Sequence, residues 1–368
     1  MTTNLGIFLV ATPGLEQPLA DETHAAGFAD PKIVPGGVET RGNWSDIWRA
    51  NLVLRCATRV LVRIGEFRAL HLAQLDKRAR KFPWDQVLHP DIPVRVEATC
   101  RKSRIYHAGA AAQRIERAIR EELGAPVTPD AQIVIKLRIE DDLAVISLDS
   151  SGESLHKRGH KEAVAKAPMR ETMAAAFLHE CGYRGTEPVF DPMCGSGTFI
   201  IEAAEIASGL FPGRSRSFAF EKLAGFNPDL WATMKQAIDG KKPEFRCFGS
   251  DRDSGAIRMS LANARRAGMH NSCSFTQGAI ADAQPPEGPP GLVMINPPYG
   301  TRIGNKGPLF GLHATMGEVL RNRFRGWRVG IVTPEGGLAK ATGLPFDPPG
   351  PIIAHGGLKV RLYQTRPL

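Results

Sequence analysis

Short apolar runs alternate with helix-period segments from residue 188 to residue 333, and this alternation constrains the fold more than any other feature. An acid, a glycine or an asparagine ends most of the runs, which are PVFD, FRCFGSD, CSFTQG, LVMIN and RVGIVT. Such alternation predicts a doubly wound, mostly parallel sheet, in which ligands bind beyond the carboxyl ends of the strands. The final run, PIIAHGGLKVRLYQ, predicts an antiparallel hairpin at the edge of that sheet.

The first 150 residues carry a different pattern, in which strand-like runs such as GIFLVAT, RVLVRIGEF and QIVIKLRIE are interspersed with helical segments. This α+β pattern predicts two small units, each built from helices on a mixed sheet. We therefore expect three domains, with the boundaries 1–64, 65–154 and 155–368.

The composition is that of a basic globular protein, with 47 Lys and Arg against 38 Asp and Glu and a net charge of +9. An excess of this size favours a polyanionic partner without proving one. No apolar run is long enough for a membrane span, and the N-terminus lacks the basic lead of a signal peptide. The six cysteines and ten histidines are scattered, so we expect no disulfide framework, no metal site and a cytoplasmic protein.

A glycine-containing turn follows the first of these strands, in the stretch VFDPMCGSGTFIIEAA. A P-loop requires a lysine that is missing here, and a dinucleotide fingerprint requires glycine where Ile200 stands. The remaining common ligand is S-adenosylmethionine, which needs close backbone approach and an acid for its ammonium group, here Asp191. Cys194 is expected to pack and not to act as a nucleophile. The other residues expected to line the cofactor are Met193, Cys194, Gly195, Ser196, Gly197 and Thr198.

The next strand ends in CFGSDRD, which places Asp251 beside the same ligand. A carboxylate at this position can accept hydrogen bonds from both ribose hydroxyls. The other interpretation of Asp251 is an N-cap for the following helix, but Asp253 is better placed for that role.

The four apolar residues LVMI continue directly into Asn296, Pro297, Pro298 and Tyr299, which we expect to be the catalytic residues. Two successive prolines have a fixed φ and no N–H, so the Pro297 carbonyl is held rigidly beside the Asn296 side-chain oxygen. These two acceptors can bind both hydrogens of a planar exocyclic amine and direct its lone pair at a methyl donor, while Tyr299 can stack on a base.

The segments LHKRGHKEAVAKAPMRETMAAAFL, DPMCGSGTFIIEAA, GSDRDSGAI and NPPYGTRIG resemble, in order and spacing, those of class I S-adenosylmethionine-dependent RNA guanine-N2 methyltransferases. The similarity is greatest to the N-terminal half of the bifunctional 23S rRNA enzyme. The segments GLEQPLADE, VPGGVETRG and VISLDSSGESLHKRG resemble the ferredoxin-like segment and the THUMP domain of that enzyme.

The resemblance implies a Rossmann-like, seven-stranded methyltransferase domain at 155–368, preceded by a ferredoxin-like segment at 1–64 and an RNA-binding THUMP domain at 65–154. It also implies N2-methylation of a guanosine, with 23S rRNA as the preferred substrate and tRNA as the alternative. Adenine-N6 or glutamine-N5 methylation, or a non-catalytic RNA-binding assembly factor, are more distant alternatives. A monomer is slightly favoured.

The sequence departs from the family at the acid that accepts the adenine amino group, because Ala279 stands at the expected position. Either Asp282 replaces that acid, or the backbone N–H near Ile280 and packing around Arg252 hold the adenine. We lean to Asp282.

Basic clusters with adjacent aromatics occur in LDKRARKFPW and TCRKSRIYHAG, and a further basic run follows residue 156. Such clusters can neutralise phosphates, while the aromatic rings can stack on unpaired bases. The residues that we expect to contact RNA are Lys77, Arg78, Arg80, Arg101, Lys102, Arg104, Lys157, Arg158 and Arg302.

Overall fold

The computed structural model describes residues 4–162, 169–237, 240–298 and 307–368. The chain forms two compact units. The first, here called the N-terminal unit, contains residues 1–11, 20–155 and 216–237; the second, here called the C-terminal unit, contains residues 12–19, 156–215 and 238–368. Among the helices of these described ranges, none is long and apolar enough to cross a membrane.

The strands and longer helices follow one another along the described chain in this order: β1 (Leu5–Val10), α1 (Glu16–Ala25), β2 (Ala29–Val34), β3 (Gly37–Gly42), α2 (Trp44–Val53), β4 (Arg59–Arg68), α3 (Leu72–Arg80), β5 (Val94–Arg101), α4 (Ala108–Glu122), β6 (Ile133–Glu140), β7 (Leu143–Asp149), α5 (Glu171–Glu180), β8 (Val189–Asp191), α6 (Thr198–Ala207), α7 (Pro228–Gln236), β9 (Cys247–Asp251), α8 (Ser254–Arg266), β10 (Cys273–Gln277), β11 (Leu292–Ile295), α9 (Gly307–Arg323), β12 (Arg328–Thr333), α10 (Gly336–Ala341), β13 (Ile353–His355) and β14 (Leu358–Gln364).

One seven-stranded sheet forms the framework of the N-terminal unit, in the order β2-β3-β1-β4-β7-β6-β5. The sequence predicts two small units with separate sheets. The structure has one sheet instead, because the ten-residue strand β4 pairs along both of its edges. Its first half pairs with β1, between Val10↔Arg59 and Gly6↔Arg63. Its other edge pairs with β7, between Leu61↔Asp149 and Arg68↔Leu143. Strand β4 therefore joins the strands of 1–64 and of 65–154 into one sheet.

The C-terminal unit contains the doubly wound sheet, in the order β10-β9-β8-β11-β12-β14-β13. The first five of these strands are parallel, whereas β14 is antiparallel to β12 and forms a hairpin with β13. The predicted sheet and its antiparallel terminal hairpin are confirmed. The sheet order reverses between β8 and β11, and a reversal of this kind opens a crevice at the carboxyl ends of the two strands.

Apolar packing on both faces explains why the parallel strands contain continuous apolar runs. All four residues of β11 are buried. One side of the sheet packs on a cluster that includes the stacked rings of Phe190 and Phe324, 5.5 Å apart. The strand ends are thus held by a close-packed core, which fixes the positions of the residues that follow them.

Residues 216–237 lie between β8 and β9 in sequence, yet they belong to the N-terminal unit. Their aromatic rings pack around Phe220, which is fully buried. The ring centroid of Phe220 lies 5.8 Å from that of Trp48 and 5.0 Å from that of Trp231. This segment therefore completes the hydrophobic core of the N-terminal unit.

Phe220→Ala is expected to lower the free energy of unfolding by about 3–5 kcal/mol, because it leaves a cavity between several aromatic rings. Leu230→Ala, on the exposed side of α7, is the control and should change it by less than about 1 kcal/mol. Urea unfolding followed by tryptophan fluorescence measures both changes. Equal effects of the two substitutions would contradict a core role for residues 216–237.

Candidate active site

The turn between β8 and α6, residues 191–198, is here called the glycine loop. Gly195 and Gly197 adopt positive φ angles of 55° and 82°, which residues with a side chain rarely adopt. A Cβ on Gly197 would lie 3.0 Å from Ser260 Oγ, whereas no atom lies within 4 Å of the position of a Gly195 Cβ. The loop therefore packs closely at Gly197 and faces open space at Gly195.

Asp191 is the last residue of β8, and it is only 2% exposed. Its Oδ1 accepts a hydrogen bond from the Met193 N–H, 2.9 Å away. The pKa of Asp191 is raised to about 8, chiefly by burial; the Met193 hydrogen bond opposes the rise and the charge of Asp251 adds to it. A buried carboxyl group with such a donor is suited to bind a cationic group of a ligand, because the cation stabilises its ionised form.

Asp251 ends the neighbouring strand β9 and is half-buried. Its two oxygens accept the Gly195 N–H at 3.0 Å and the Asp253 N–H at 2.9 Å. Asp253 caps α8 through its contact with the Gly255 N–H at 2.8 Å, which confirms the predicted N-cap. Each oxygen of Asp251 still has a lone pair for a ligand hydroxyl, because an ionised carboxylate can accept about four hydrogen bonds.

Helix α8 contributes two buried side chains to the glycine loop that sequence reasoning missed. Ser260 Oγ donates to the Gly195 carbonyl at 2.9 Å, and Asn263 Nδ2 donates to the Ser196 carbonyl at 3.0 Å. Both side chains are fully buried. The sequence feature that could have identified them is a pair of polar residues, three positions apart, on the apolar face of a helix, where buried polar groups need hydrogen-bond partners.

The other loop residues serve mainly to pack. Cys194 is buried with its Sγ 3.8 Å from Ser260 Oγ, and burial raises the pKa of its thiol well above the usual value. The thiol is therefore protonated, as its predicted packing role requires. Met193 packs against the core cluster, and Thr198 is the buried first residue of α6. In the described parts of the chain, no three His, Cys, Asp or Glu side chains could hold a metal ion together.

Asn296 follows β11 at the carboxyl edge of the sheet, where β11 pairs with β8. The side chain is half-buried, and its Oδ1 is a buried acceptor without a hydrogen-bond partner among the residues that the structure describes. Pro297 is buried and Pro298 is exposed. An unpaired buried acceptor costs about 1–3 kcal/mol, so this oxygen is suited to a donor supplied by a ligand. The predicted residues Tyr299 and Arg302 lie outside the described part of the chain.

A short 3-10 helix, Ile280–Asp282, follows β10 at the position expected for the adenine-binding acid. Ala279 is the N-cap residue, Ile280 is buried and Asp282 is exposed. Arg252 is also exposed, and its carbonyl accepts a hydrogen bond from the Gln277 side chain. Both alternatives for adenine binding therefore remain predictions.

The first predicted RNA-binding cluster lies on α3, where Lys77 and Arg78 are exposed. Arg80 differs from them, because its guanidinium forms ion pairs with Asp76, Glu121 and Glu122. These hydrogen bonds raise the pKa of Arg80 above its ordinary value. Arg80 therefore links α3 to α4, a structural role that competes with its predicted contact with RNA.

The second cluster follows β5. The side chains of Arg101 and Arg104 are each 71% exposed, although carboxylates of Glu140 and Asp142 lie 3.8 and 3.9 Å from them. Lys102 is exposed and has a positive φ of 46°. These three side chains are accessible to a partner. The carboxylates of Glu140 and Asp142, at the turn between β6 and β7, partly offset their positive charge.

In the third cluster, Lys157 is exposed but Arg158 is only 2% exposed. The Arg158 guanidinium donates to Glu202 of α6 at 3.2 Å, and Glu202 is equally buried. A buried guanidinium cannot contact a phosphate. The prediction that Arg158 binds RNA is therefore wrong.

Two known families match the chain. The family described as "RMKL-like, methyltransferase domain" matches residues 158–344, and the RlmL ferredoxin-like domain matches residues 6–61.

The chain is 35% identical over 365 residues to the ribosomal RNA large subunit methyltransferase K/L of Syntrophotalea carbinolica, with 94% of this chain and 51% of that protein aligned. It thus spans about half the length of that relative. It is also 31% identical over 368 residues to a candidate RNA methyltransferase of Synechocystis sp., with 97% of this chain and 95% of that protein aligned. Among solved structures it is similar to SMU.472, a candidate methyltransferase complexed with SAH, with a TM-score of 0.89, 27% identity and coverage of 100% and 99%.

Asp191→Asn is expected to stabilise the unliganded protein, and more so at high pH. The folded state holds a proton on Asp191 that the unfolded state releases, because the pKa is about 8 when folded against an ordinary value of 3.8. Wild-type stability therefore falls as the pH rises from 3.8 to about 8. Asparagine keeps the acceptor for the Met193 N–H and does not titrate.

Urea unfolding at about pH 5 and about pH 8 measures this effect, and the advantage of Asp191→Asn should grow by a few kcal/mol between them. Asp253→Asn, an exposed cap on the same side of the sheet, should show no such growth. A pH-independent advantage for Asp191→Asn would argue against the raised pKa.

Proposed function

Since the chain belongs to the family of RMKL-like methyltransferase domains, we propose that it is an S-adenosylmethionine-dependent RNA methyltransferase that methylates the N2 amine of a guanosine, preferably in 23S rRNA. The observation that carries this proposal is the buried, unpaired Oδ1 of Asn296 at the carboxyl edge of the sheet. Asn296 follows β11, and β11 pairs directly with β8, the strand that ends at Asp191. An acceptor for an amine and an acid for a cation thus follow neighbouring strands.

The residues present are compatible with S-adenosylmethionine. The buried carboxyl group of Asp191 would bind the ammonium group, and that ligand would bring the pKa of Asp191 down from about 8. Asp251 would accept the ribose hydroxyls, and the open side of the loop at Gly195 allows a ligand to approach the backbone. When bound, the cofactor supplies an electrophilic methyl group on a sulfonium. The residues proposed for the cofactor are Asp191, Met193, Cys194, Gly195, Ser196, Gly197, Thr198, Asp251, Arg252 and Asp282.

Asn296 and Pro297 would orient the target amine. A guanine N2 amine is planar because its lone pair is delocalised into the ring. Two acceptors that bind both of its hydrogens favour a geometry in which the lone pair leaves the ring plane. Asn296 Oδ1 and the Pro297 carbonyl would act in this way, while Pro298 keeps the turn rigid and Tyr299 offers a stacking surface.

RNA would bind through the exposed cations and not through Arg80 or Arg158. Of the predicted residues that the structure describes, the exposed cations are Lys77, Arg78, Arg101, Lys102 and Arg104 in the N-terminal unit and Lys157 in the C-terminal unit. We also propose the domain assignment expected from the sequence, namely a ferredoxin-like segment at 1–64, a THUMP domain at 65–154 and a methyltransferase domain at 155–368. The match of the RlmL ferredoxin-like domain at 6–61 supports the first of these domains, and the match of the methyltransferase domain at 158–344 supports the third.

Asn296→Ala is expected to lower kcat about 10²–10⁴-fold, because the amine loses an oriented acceptor. The Kd for S-adenosylhomocysteine should change less than about threefold, since the substituted oxygen serves the other substrate. Initial rates with labelled cofactor and isothermal titration measure the two quantities. Asn271→Ala, an exposed asparagine between α8 and β10, is the control. Near-normal turnover of Asn296→Ala would show that another group orients the amine.

Nucleoside mass spectrometry of separated 23S rRNA and tRNA, with and without this protein, tests the substrate. We expect one N2-methylguanosine to disappear from 23S rRNA and to return with the wild-type protein but not with Asn296→Ala. Loss from tRNA would favour the tRNA alternative, and loss of N6-methyladenosine would favour adenine as the target. Unchanged RNA would reject the proposed activity.

A further inference from the structure

Helix α8 holds two successive carbonyls of the glycine loop, through Ser260 at Gly195 and Asn263 at Ser196. Both side chains are fully buried, so neither contact competes with bulk water. In a helix interior, serine and asparagine are ordinarily neutral to unfavourable. Their presence on the buried face of α8 indicates that the contacts with the loop are what these residues provide.

These contacts fix the peptide planes of the loop. Across a planar trans peptide, the C=O of one residue and the N–H of the next point in opposite directions. The Gly195 carbonyl is held toward α8, so the Ser196 N–H points away from α8. The Gly195 N–H is held separately by Asp251 at 3.0 Å. The Ser260 contact thus directs the Ser196 N–H away from α8, and the Asn263 contact holds the next peptide, whose Gly197 N–H donates to the Cys194 carbonyl at 2.8 Å.

Asn263 is itself oriented by Arg266, one helical turn further along α8. Arg266 Nη2 donates to Asn263 Oδ1, which leaves the amide nitrogen of Asn263 directed at the Ser196 carbonyl. The same guanidinium donates from Nε to the His160 carbonyl at 2.8 Å, and its Nη1 lies 3.7 Å from Glu162. One side chain therefore joins residues 160–162 to the residue that holds the loop.

The segment 158–162 is in turn anchored to α6, the helix that begins directly after the loop. Arg158 pairs with Glu202 at 3.2 Å, and His160 Nδ1 lies 3.9 Å from Glu205. Glu205 also pairs with Arg214. The Arg158–Glu202 ion pair is buried, and a buried charge that loses its partner is strongly destabilising, so this pair holds the segment against α6. The segment thus contacts α6 and α8, which both pack against the loop.

We propose that Asn263 and Arg266 are positioning residues of the cofactor site, through which segment 158–162 sets the orientation of the Ser196 carbonyl. This proposal rests on the proposed function, because it takes the glycine loop to be the part of the chain that binds the cofactor. Neither residue touches the cofactor; Asn263 acts through Ser196, and Arg266 acts through Asn263.

The test uses the full chain and two substitutions. Asn263→Asp keeps the acceptor for Arg266 but loses the N–H that binds the Ser196 carbonyl, and Arg266→Ala leaves Asn263 in place but removes the Arg266 donor to its Oδ1. Arg265→Ala removes the neighbouring exposed arginine and is the matched control. The measurements are the Kd for S-adenosylhomocysteine by isothermal titration, KM and kcat with S-adenosylmethionine, and the midpoint of thermal unfolding.

Asn263→Asp is expected to raise the Kd and the KM about tenfold to hundredfold, with kcat lowered less than about threefold. Arg266→Ala should raise both constants about threefold to tenfold, and Arg266→Lys, which keeps one donor, should recover part of that loss. The double variant should bind within about twofold of Asn263→Asp alone, because Arg266 acts through Asn263. Arg265→Ala should match the wild type.

The outcomes separate this proposal from the proposed function. A wild-type protein that does not bind S-adenosylhomocysteine would overturn both. Wild-type binding with an unaltered Kd for Asn263→Asp would overturn this proposal alone, and additive effects in the double variant would overturn the role of Arg266. A loss of kcat in step with a lower unfolding midpoint would show a purely structural role and would also overturn it.

Discussion

The burial of the Asp191 carboxyl group is the constraint around which the C-terminal unit is arranged. A parallel sheet covered on both faces has an apolar interior, and Asp191 brings an acid to its end with the Met193 N–H as a donor. The pKa of Asp191 rises to about 8, which means that the unliganded protein is less stable than it would be with a neutral residue there. Functional sites commonly depart from the rules of packing in this way, because a ligand completes the interaction.

The glycine loop shows how many parts of the fold a single turn depends on. Asp251 holds its Gly195 N–H, Ser260 and Asn263 hold its carbonyls, and α6 continues from its last residue. Strand β9 and helix α8 are distant from the loop in sequence, whereas α6 follows it directly. The loop is therefore held by tertiary contacts, so a ligand that binds it does not have to reorganise the loop.

The basic residues show that a charge in the sequence does not reveal its partner. Lys77, Arg78 and Lys157 are exposed as their positions in polar segments suggest. Arg80 and Arg158 stand in the same runs, yet one joins α3 to α4 and the other is buried against Glu202. Asp76 lies one helical turn from Arg80, but the other acids that pair with these two arginines lie 41 to 44 residues away along the chain. The local sequence therefore does not distinguish a binding cation from a structural one.

The sequence by itself determined the parallel sheet, its terminal hairpin, the cap at Asp253 and the placement of Asp191, Asp251 and Asn296 at strand ends. These features follow from periodicity and from residues adjacent to a strand, which are local properties. Only the tertiary structure decided that β4 joins two segments into one sheet, that residues 216–237 complete the core of the N-terminal unit, and that Ser260, Asn263 and Arg266 support the glycine loop. Each of these features depends on contacts between residues that are far apart in sequence. Such contacts do not occur at a fixed sequence separation, so no local pattern predicts them.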